Sequence, residues 1–307
     1  MSPTKGIVFR LCAVMCFVVM FSLIKATADS VPAGQAVFYR SLFALPIIVA
    51  WLFLRAELRN GLKVKSRIGH FWRSLFGTCA MSLNFAALGY LPLPDVTAIG
   101  YLAPLLTIVF AALFLKERLR LFRTVIIGIG FLGVLVVIEP RVSLFSPDHM
   151  EEVFLIGVAL VLTGAVFAAL AQIQVRRLVQ HEHPAAIAFY FAATSTILSL
   201  FTYLFGWVSL SMMQFLCLTA SGVIGGIGQI CLTLSYRHAQ ASLVAPFEYA
   251  SILFALLIGY TVFHEVPSVQ MLIGVAIIVA AGLVIIWREA QIGLEHSKAT
   301  SLKIPPN

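Results

Sequence analysis

The apolar residues of this chain come in runs of about twenty, separated by short stretches of Pro, Gly and charge. A helical run of that length covers roughly 30 Å of hydrocarbon. In lipid only helices and closed barrels satisfy every backbone amide, and runs this apolar, without polar alternation, are helices. The fold class that follows is an all-α membrane protein. Composition agrees: 61% of the 307 residues are hydrophobic and 11% charged, where soluble domains carry about 25% charge. Ten transmembrane helices are predicted, at 6–25, 34–54, 70–90, 95–115, 121–138, 153–175, 185–206, 210–235, 242–263 and 267–287. Their boundaries fall at VPAG (31–34), LPLP (91–94), EP (139–140), HP (183–184) and VP (266–267), sequences that punctuate helices.

The first run has a second reading. Lys5 and Arg10 precede it and ATADS follows at 26–30, the pattern of a cleaved signal peptide. A retained first span is preferred, because nine more follow and it makes the count even. The net charge of +8 does not point to nucleic acid, since the basic residues sit in the gaps between apolar runs. Of the 21 lysines and arginines, only Lys25 and Arg141 fall on one side, and Arg40 lies within a span. The others share the opposite side, which the positive-inside rule makes cytoplasmic together with both termini. Cys12, Cys16, Cys79, Cys217 and Cys231 all lie in apolar runs and read as small hydrophobes. No histidine or carboxylate accompanies them as a metal set, and no cofactor is expected.

The chain repeats itself. YLPLPDVTAIGYLAPLLTIVFAALFLKE (90–117) matches YRHAQASLVAPFEYASILFALLIGYTVFHE (236–265), with Tyr101 falling on Tyr249 and Glu117 on Glu265 at a common offset of 148. FYR (38–40) falls on FYF (189–191). Each half holds five spans, an odd number, so the second half enters the membrane from the opposite side. The expected organisation is a first five-helix repeat over 6–138, an external linker over 139–152, a second repeat over 153–287 and a cytoplasmic tail over 288–307. Inverted repeats of this kind belong to secondary transporters, with a site near the midplane at the repeat interface.

These features resemble the EamA branch of the drug/metabolite transporter superfamily: two five-helix halves, an arginine in the second span (Arg40), a proline at the start of the fourth, and acids ending the fourth and ninth (Glu117, Glu265). The resemblance spans about 6–287 and implies a small-molecule solute moved across a bacterial inner membrane by alternating access. The central cavity would lie between spans 1–4 and 6–9. Within the family the overall likeness favours the riboflavin-uptake group, with S-adenosylmethionine and amino-acid transporters nearly as close.

Glu248 is the acid in an otherwise apolar run, two residues after Pro246. A charge at the bilayer centre costs roughly 2.5–3.5 kcal/mol, so Glu248 must face a cavity or a partner. A pair with Arg40 is one such arrangement. Asn84 and Gln229 occupy corresponding stretches of the two halves, and each can bind solute or join helices. Tyr101, Tyr190 and Tyr249 offer faces on which a planar solute would stack. Together with Arg40 and Glu248 these are the candidate solute-binding residues. Gly222, Gly225, Gly226 and Gly228 lack the strand–loop–helix setting of a dinucleotide fingerprint and read as sites of close helix approach. Gly128, Gly130, Gly133, Gly274 and Gly282 in spans 5 and 10 suit a homodimer or packing within one chain. An enzyme is not expected, because no HExxH, GxSxG or aspartate pair is present. A membrane sensor or scaffold without transport is the alternative class.

Overall fold

The computed structural model describes residues 3–115, 121–142, 152–239 and 241–301. Among them all regular structure is helical: α1 (Pro3–Lys25), α2 (Ala33–Leu54), a short α3 (Leu58–Gly61), α4 (Arg67–Ala87), α5 (Leu93–Gly100), α6 (Leu102–Leu115), α7 (Leu121–Val142), α8 (Glu152–Leu178), α9 (Pro184–Leu200), α10 (Met212–His238), α11 (Ala241–Val244), α12 (Ala250–Phe263) and α13 (Val269–Ser301). Nine of the helical segments are long and apolar enough to cross a membrane. The expected third span is not among them. Its helix, α4, carries Arg67, His70, Arg73, Ser74, Thr78 and Asn84. It is packed against α8, α9 and α2, where neighbouring helices cover His70, Ser74 and Thr78 and partly cover Arg73 and Asn84, while Arg67 is exposed.

Two expected spans are broken. The fourth divides at Tyr101 into α5 and α6, because Pro104 has no N–H to return to Gly100 and its ring crowds that carbonyl. The ninth begins with α11 and a 3-10 turn over Ala245–Tyr249 before α12, with Pro246 inside the turn. The breaks fall at Tyr101 and Tyr249, the pair related by the repeat offset. The tenth helix also runs further than expected, continuing into what the sequence suggested was a tail. Glu117 and most of the 139–152 linker lie outside the described residues.

Side-chain contacts fix which helix ends meet. Ser235 near the end of α10 donates to the Gly6 carbonyl at the start of α1 (2.8 Å). Glu182, after α8, accepts from the backbone of Lys65 and Ser66, before α4. These joints lie at a basic end. At the opposite end Lys25 closes α1 against the α4–α5 turn, and Gln35 at the start of α2 exchanges two hydrogen bonds with Val208 (2.9 and 3.1 Å). Thus α1 runs away from the basic end while its counterpart α8 runs toward it, and the two halves are inverted.

The packing has the symmetry that this implies. α1 lies along α10 as α4 lies along α8; α2 meets α10 as α9 meets α4; α12 meets α1 as α6 meets α8. Each half is therefore built into the other, and one continuous core runs from Val18 through Phe85 and Ile99 to Ile252 and Ile278. Glycines permit the close approaches. Gly225 abuts Met20, and Gly228 abuts Cys16 and Phe17. In the α7–α13 pair, Gly133 meets Ile278, and Gly274 meets Val137 and the Gly133 carbonyl. Of the glycines that suit a dimer, Gly130, Gly133, Gly274 and Gly282 are thus used within the chain, and Gly128 faces open space.

Candidate functional site

Where the halves cross, the repeat-equivalent tyrosines meet. The rings of Tyr101 and Tyr249 lie 5.0 Å apart, tilted by 46°. The Tyr101 hydroxyl bonds Ser251 Oγ and donates to the Glu248 carbonyl at 3.4 Å. The Tyr249 hydroxyl fills the space that a side chain at Gly282 would need. Helix breaks bring these rings together, since an unbroken α-helix through Tyr249 would carry Glu248 and Tyr249 on different faces from those the 3-10 turn gives them.

Glu248 is half exposed, and its Oε2 lies 2.7 Å from Arg10 Nη2. Arg10 also donates to the Tyr236 hydroxyl at 3.3 Å. The Arg10 side chain keeps only 7% of its exposure against 50% for Glu248, so the arginine is packed and the acid faces an opening. This corrects the pairing with Arg40. The two enter from opposite ends, and α1 supplies a cation at the right depth.

Arg40 is instead almost fully buried, 3% exposed. Its Nε reaches Met20 Sδ at 3.4 Å, and its guanidinium carbon lies 5.9 Å from the centre of the Phe191 ring. The other face of that environment belongs to Arg73, stacked on the same ring at 3.8 Å. Arg73 belongs to the basic stretch 55–73 by sequence, and the structure puts it six residues into α4. The displacement comes from Ser66, whose Oγ accepts from Gly69 N at 3.3 Å and starts the helix earlier than the apolar run does.

The other candidates do not join this centre. Tyr190 donates to the Leu62 carbonyl (3.0 Å) and packs its ring 5.2 Å from His70, joining α9 to the basic-end loop. Asn84 donates to the Ala80 carbonyl of its own helix (2.8 Å), against Gly164. Gln229 is half-buried on α10, and α10 does not pack along α4, so the two amides form no symmetric pair.

At the end remote from the basic loops, a second ion pair spans the halves. Lys25 Nζ is 2.8 Å from Glu265 Oε1, and the side chains keep 14% and 15% of their exposure. Glu265 Oε2 accepts from Leu93 N (3.0 Å) while Lys25 donates to the Leu91 carbonyl (2.9 Å). Local geometry aims the acid. His264 takes a left-handed φ of 55° to end α12, and Glu265 N–H returns to the Gly259 carbonyl at 2.9 Å. A Cβ at Gly259 would come within 3.0 Å of the Glu265 carboxylate. Sequence reading marked Glu265 but not Lys25 or Arg10, whose positions at the two ends of α1 were the available signal.

A third joint lies outside the spans. Glu182 Oε1 accepts from Lys65 N (2.7 Å) and Ser66 N (2.8 Å) and lies 3.7 Å from His70 Nε2. Burial alone would push the Glu182 carboxyl up, but the two backbone donors and His70 outweigh it and hold it below the ordinary carboxylate value.

Comparison with known proteins follows the same division. The model of the EamA-like transporter family matches twice, over residues 4–139 and 155–287. A pseudopaline exporter of Pseudomonas aeruginosa is 29% identical over 282 residues, covering 90% of this chain and 94% of that protein. An uncharacterized transporter of Helicobacter pylori is 30% identical over 292 residues, 91% of this chain and 94% of that one. An S-adenosylmethionine uptake transporter of Rickettsia felis is 24% identical over 279 residues, 88% and 91% of the two chains. A crystal structure sharing 19% identity aligns with a TM-score of 0.66 over 94% of this chain and 99% of its own, a likeness of fold.

Proposed function

The chain belongs to the EamA-like transporter family, and we propose that it moves a small organic metabolite across a bacterial inner membrane by alternating access, with the basic end in the cytoplasm. The meeting of Tyr101 with Tyr249 carries this reading. Two repeat-equivalent helix breaks face each other at the interface of inverted halves, where the halves can exchange conformations around a central solute. The family and the named relatives are transporters, not enzymes.

For the solute we rank S-adenosylmethionine and amino-acid-like metabolites ahead of riboflavin. One named relative takes up S-adenosylmethionine. Buried arginines at membrane depth also suit a charged solute, whereas neutral riboflavin would leave them unanswered.

The test is counterflow in proteoliposomes containing the full chain. Vesicles loaded with unlabelled S-adenosylmethionine, methionine, histidine or riboflavin are diluted into the labelled compound. Accumulation that needs the internal solute and is lost in Tyr101→Ala/Tyr249→Ala supports the reading. Permeation independent of the internal solute would mean a channel. No accumulation with any of the four would reject the proposed solutes.

A further inference from the structure

Two cations, Arg40 on α2 and Arg73 on α4, share the Phe191 ring of α9, and among the described residues neither has an ion-pair partner. The acids that make the described ion pairs are engaged elsewhere: Glu248 with Arg10, Glu265 with Lys25, Glu182 with His70, and Glu57 with His183 and Arg237. Among the described residues none forms an ion pair with Arg40 or Arg73. Arg40 has only the weak acceptor Met20 Sδ at Nε. Arg73 has no partner at Nε or Nη1, and both atoms are buried. The fully buried Ser41 hydroxyl next to Arg40 in sequence is also unpartnered. Arginine stays protonated in proteins, so two like charges that lie 5.9 and 3.8 Å from the centre of one ring repel each other.

Burying unanswered charged donors is costly. Stacking on Phe191 offsets part of it and holds both guanidinium groups in place. The backbone is adapted to hold them as well. A Cβ at Gly77 would collide with Arg73 Nη1 and come within 2.8 Å of Phe191. A Cβ at Gly225 would come within 3.3 Å of Arg40 Nε and 2.7 Å of Met20 Sδ. Gly77 and Gly225 are separated by 148 residues, the same offset that relates Tyr101 to Tyr249. Each repeat therefore gives one glycine to the seat of one arginine.

We infer that Arg40 and Arg73 form an anion subsite at the crossing of the halves, and that it takes the carboxylate of the transported solute. The inference rests on the transporter reading for its occupant, but the subsite itself is a binding property. Guanidinium forks match the planar oxygens of a carboxylate. Arg73 keeps partial exposure while Arg40 is buried, so the anion meets Arg73 first and Arg40 second. Loading cancels the repulsion between the two arginines, which ties closure around the solute to the presence of its charge.

The test uses the full chain in detergent, buffered by a bulky sulfonate, with acetate as the probe. The unfolding midpoint is followed by tryptophan fluorescence against sodium acetate and, separately, sodium chloride at matched ionic strength. A saturating rise with acetate is expected in the parent. In Arg40→Gln and Arg73→Gln the apparent affinity should fall by about tenfold or more, while the acetate-free midpoint stays level or rises because a repulsive charge is gone. Arg40→Lys, which keeps charge but loses the fork, should fall between. If a glutamine variant fails to fold, the comparison of parent with Arg40→Lys still decides. An equal acetate response in every variant, no response in the parent, or a response to chloride alone would overturn the carboxylate subsite. Acetate binding without solute counterflow would instead overturn only the transporter reading.

Discussion

Replacing Glu265 with Gln tests whether the end remote from the basic loops, the outer end in the proposed orientation, is held shut by the buried Lys25–Glu265 ion pair. The carboxylate lies 2.8 Å from Lys25 Nζ with both side chains about six-sevenths buried. The amide can still accept from Leu93 N, and Lys25 still has the Leu91 carbonyl, so the change removes charge and little else. A hydrogen bond to a charged group contributes about 1.5–3 kcal/mol. With the remaining acceptors in place, about 2 kcal/mol of closure should be lost, roughly a 30-fold shift in population. The assay replaces Cys12, Cys16, Cys79, Cys217 and Cys231 with serine and adds one reporter, Val96→Cys. Val96 is 2% exposed at the outer start of α5. A membrane-impermeant maleimide added outside should label the reporter roughly 30-fold faster in Glu265→Gln, in proportion to that shift. A second reporter at Ala186, buried at the basic end and exposed to the same reagent in inside-out vesicles, should not label faster. Equal labelling of Val96→Cys with and without the Glu265 charge would refute the reasoning. Faster labelling at both reporters would mean general loosening and would refute it equally.

Glu248→Gln should cost little stability, under about 1 kcal/mol because its side chain is half exposed, yet lower counterflow severalfold, as measured in vesicles matched for protein content. Gly282→Ala should lower the unfolding midpoint by overpacking the Tyr249 ring and hydroxyl, about 1–3 kcal/mol, and Tyr249→Ala in the same chain, which removes both, should restore more of it than Tyr249→Phe, which leaves the ring Cζ against the new Cβ. The Glu182 clamp predicts a pH dependence. Its folded carboxyl lies below the ordinary value of 4.5, so its stabilisation is full above that pH and is lost as pH falls through the lower folded value. Thermal unfolding from pH 6 to 3 should therefore decline less steeply in Glu182→Gln than in the parent.

Hydrophobic run length made most of the fold legible, and the 148-residue offset paired Tyr101 with Tyr249, but the helix breaks at those residues were not expected, because both apolar runs read as continuous spans. Run length and offset are periodic features, and periodicity is what one sequence displays well. The site was legible only in part. Arg40 and Glu248 stood out because each interrupts an apolar run. Arg73 did not, because it sits near a helix start marked by a serine cap rather than by hydrophobicity. Asn84 and Tyr190 stood out for chemistry that the structure spends on a helix carbonyl and a loop carbonyl. Which polar groups find backbone partners depends on neighbours far away in the chain, and run length carries no record of them.

The arrangement of charge between the halves gives the solute-free protein a resting orientation. α1 carries a cation toward each end, Arg10 and Lys25, and the segment from the 3-10 turn through α12 is flanked by an acid toward each end, Glu248 in the turn and Glu265 just after α12. Both pairs cross the interface between the repeats, so alternating access can be read as the separation of one pair while the other holds. The two are unequal. The outer pair is buried and reinforced by backbone donors and acceptors, whereas the inner acid is half exposed. Exposed pairs contribute about 0.2–1 kcal/mol, below the roughly 2 kcal/mol assigned to the outer charge on the basis of charged hydrogen bonds. The inner pair should therefore part first, leaving the solute-free protein open toward the basic end. Bringing salt from 20 mM to 1 M should weaken the exposed inner pair more than the buried outer one. Labelling of Ala186→Cys from the basic end should then rise with salt while labelling of Val96→Cys from outside stays flat. The opposite ranking would place the weaker joint at the outer end and reverse the resting orientation argued here.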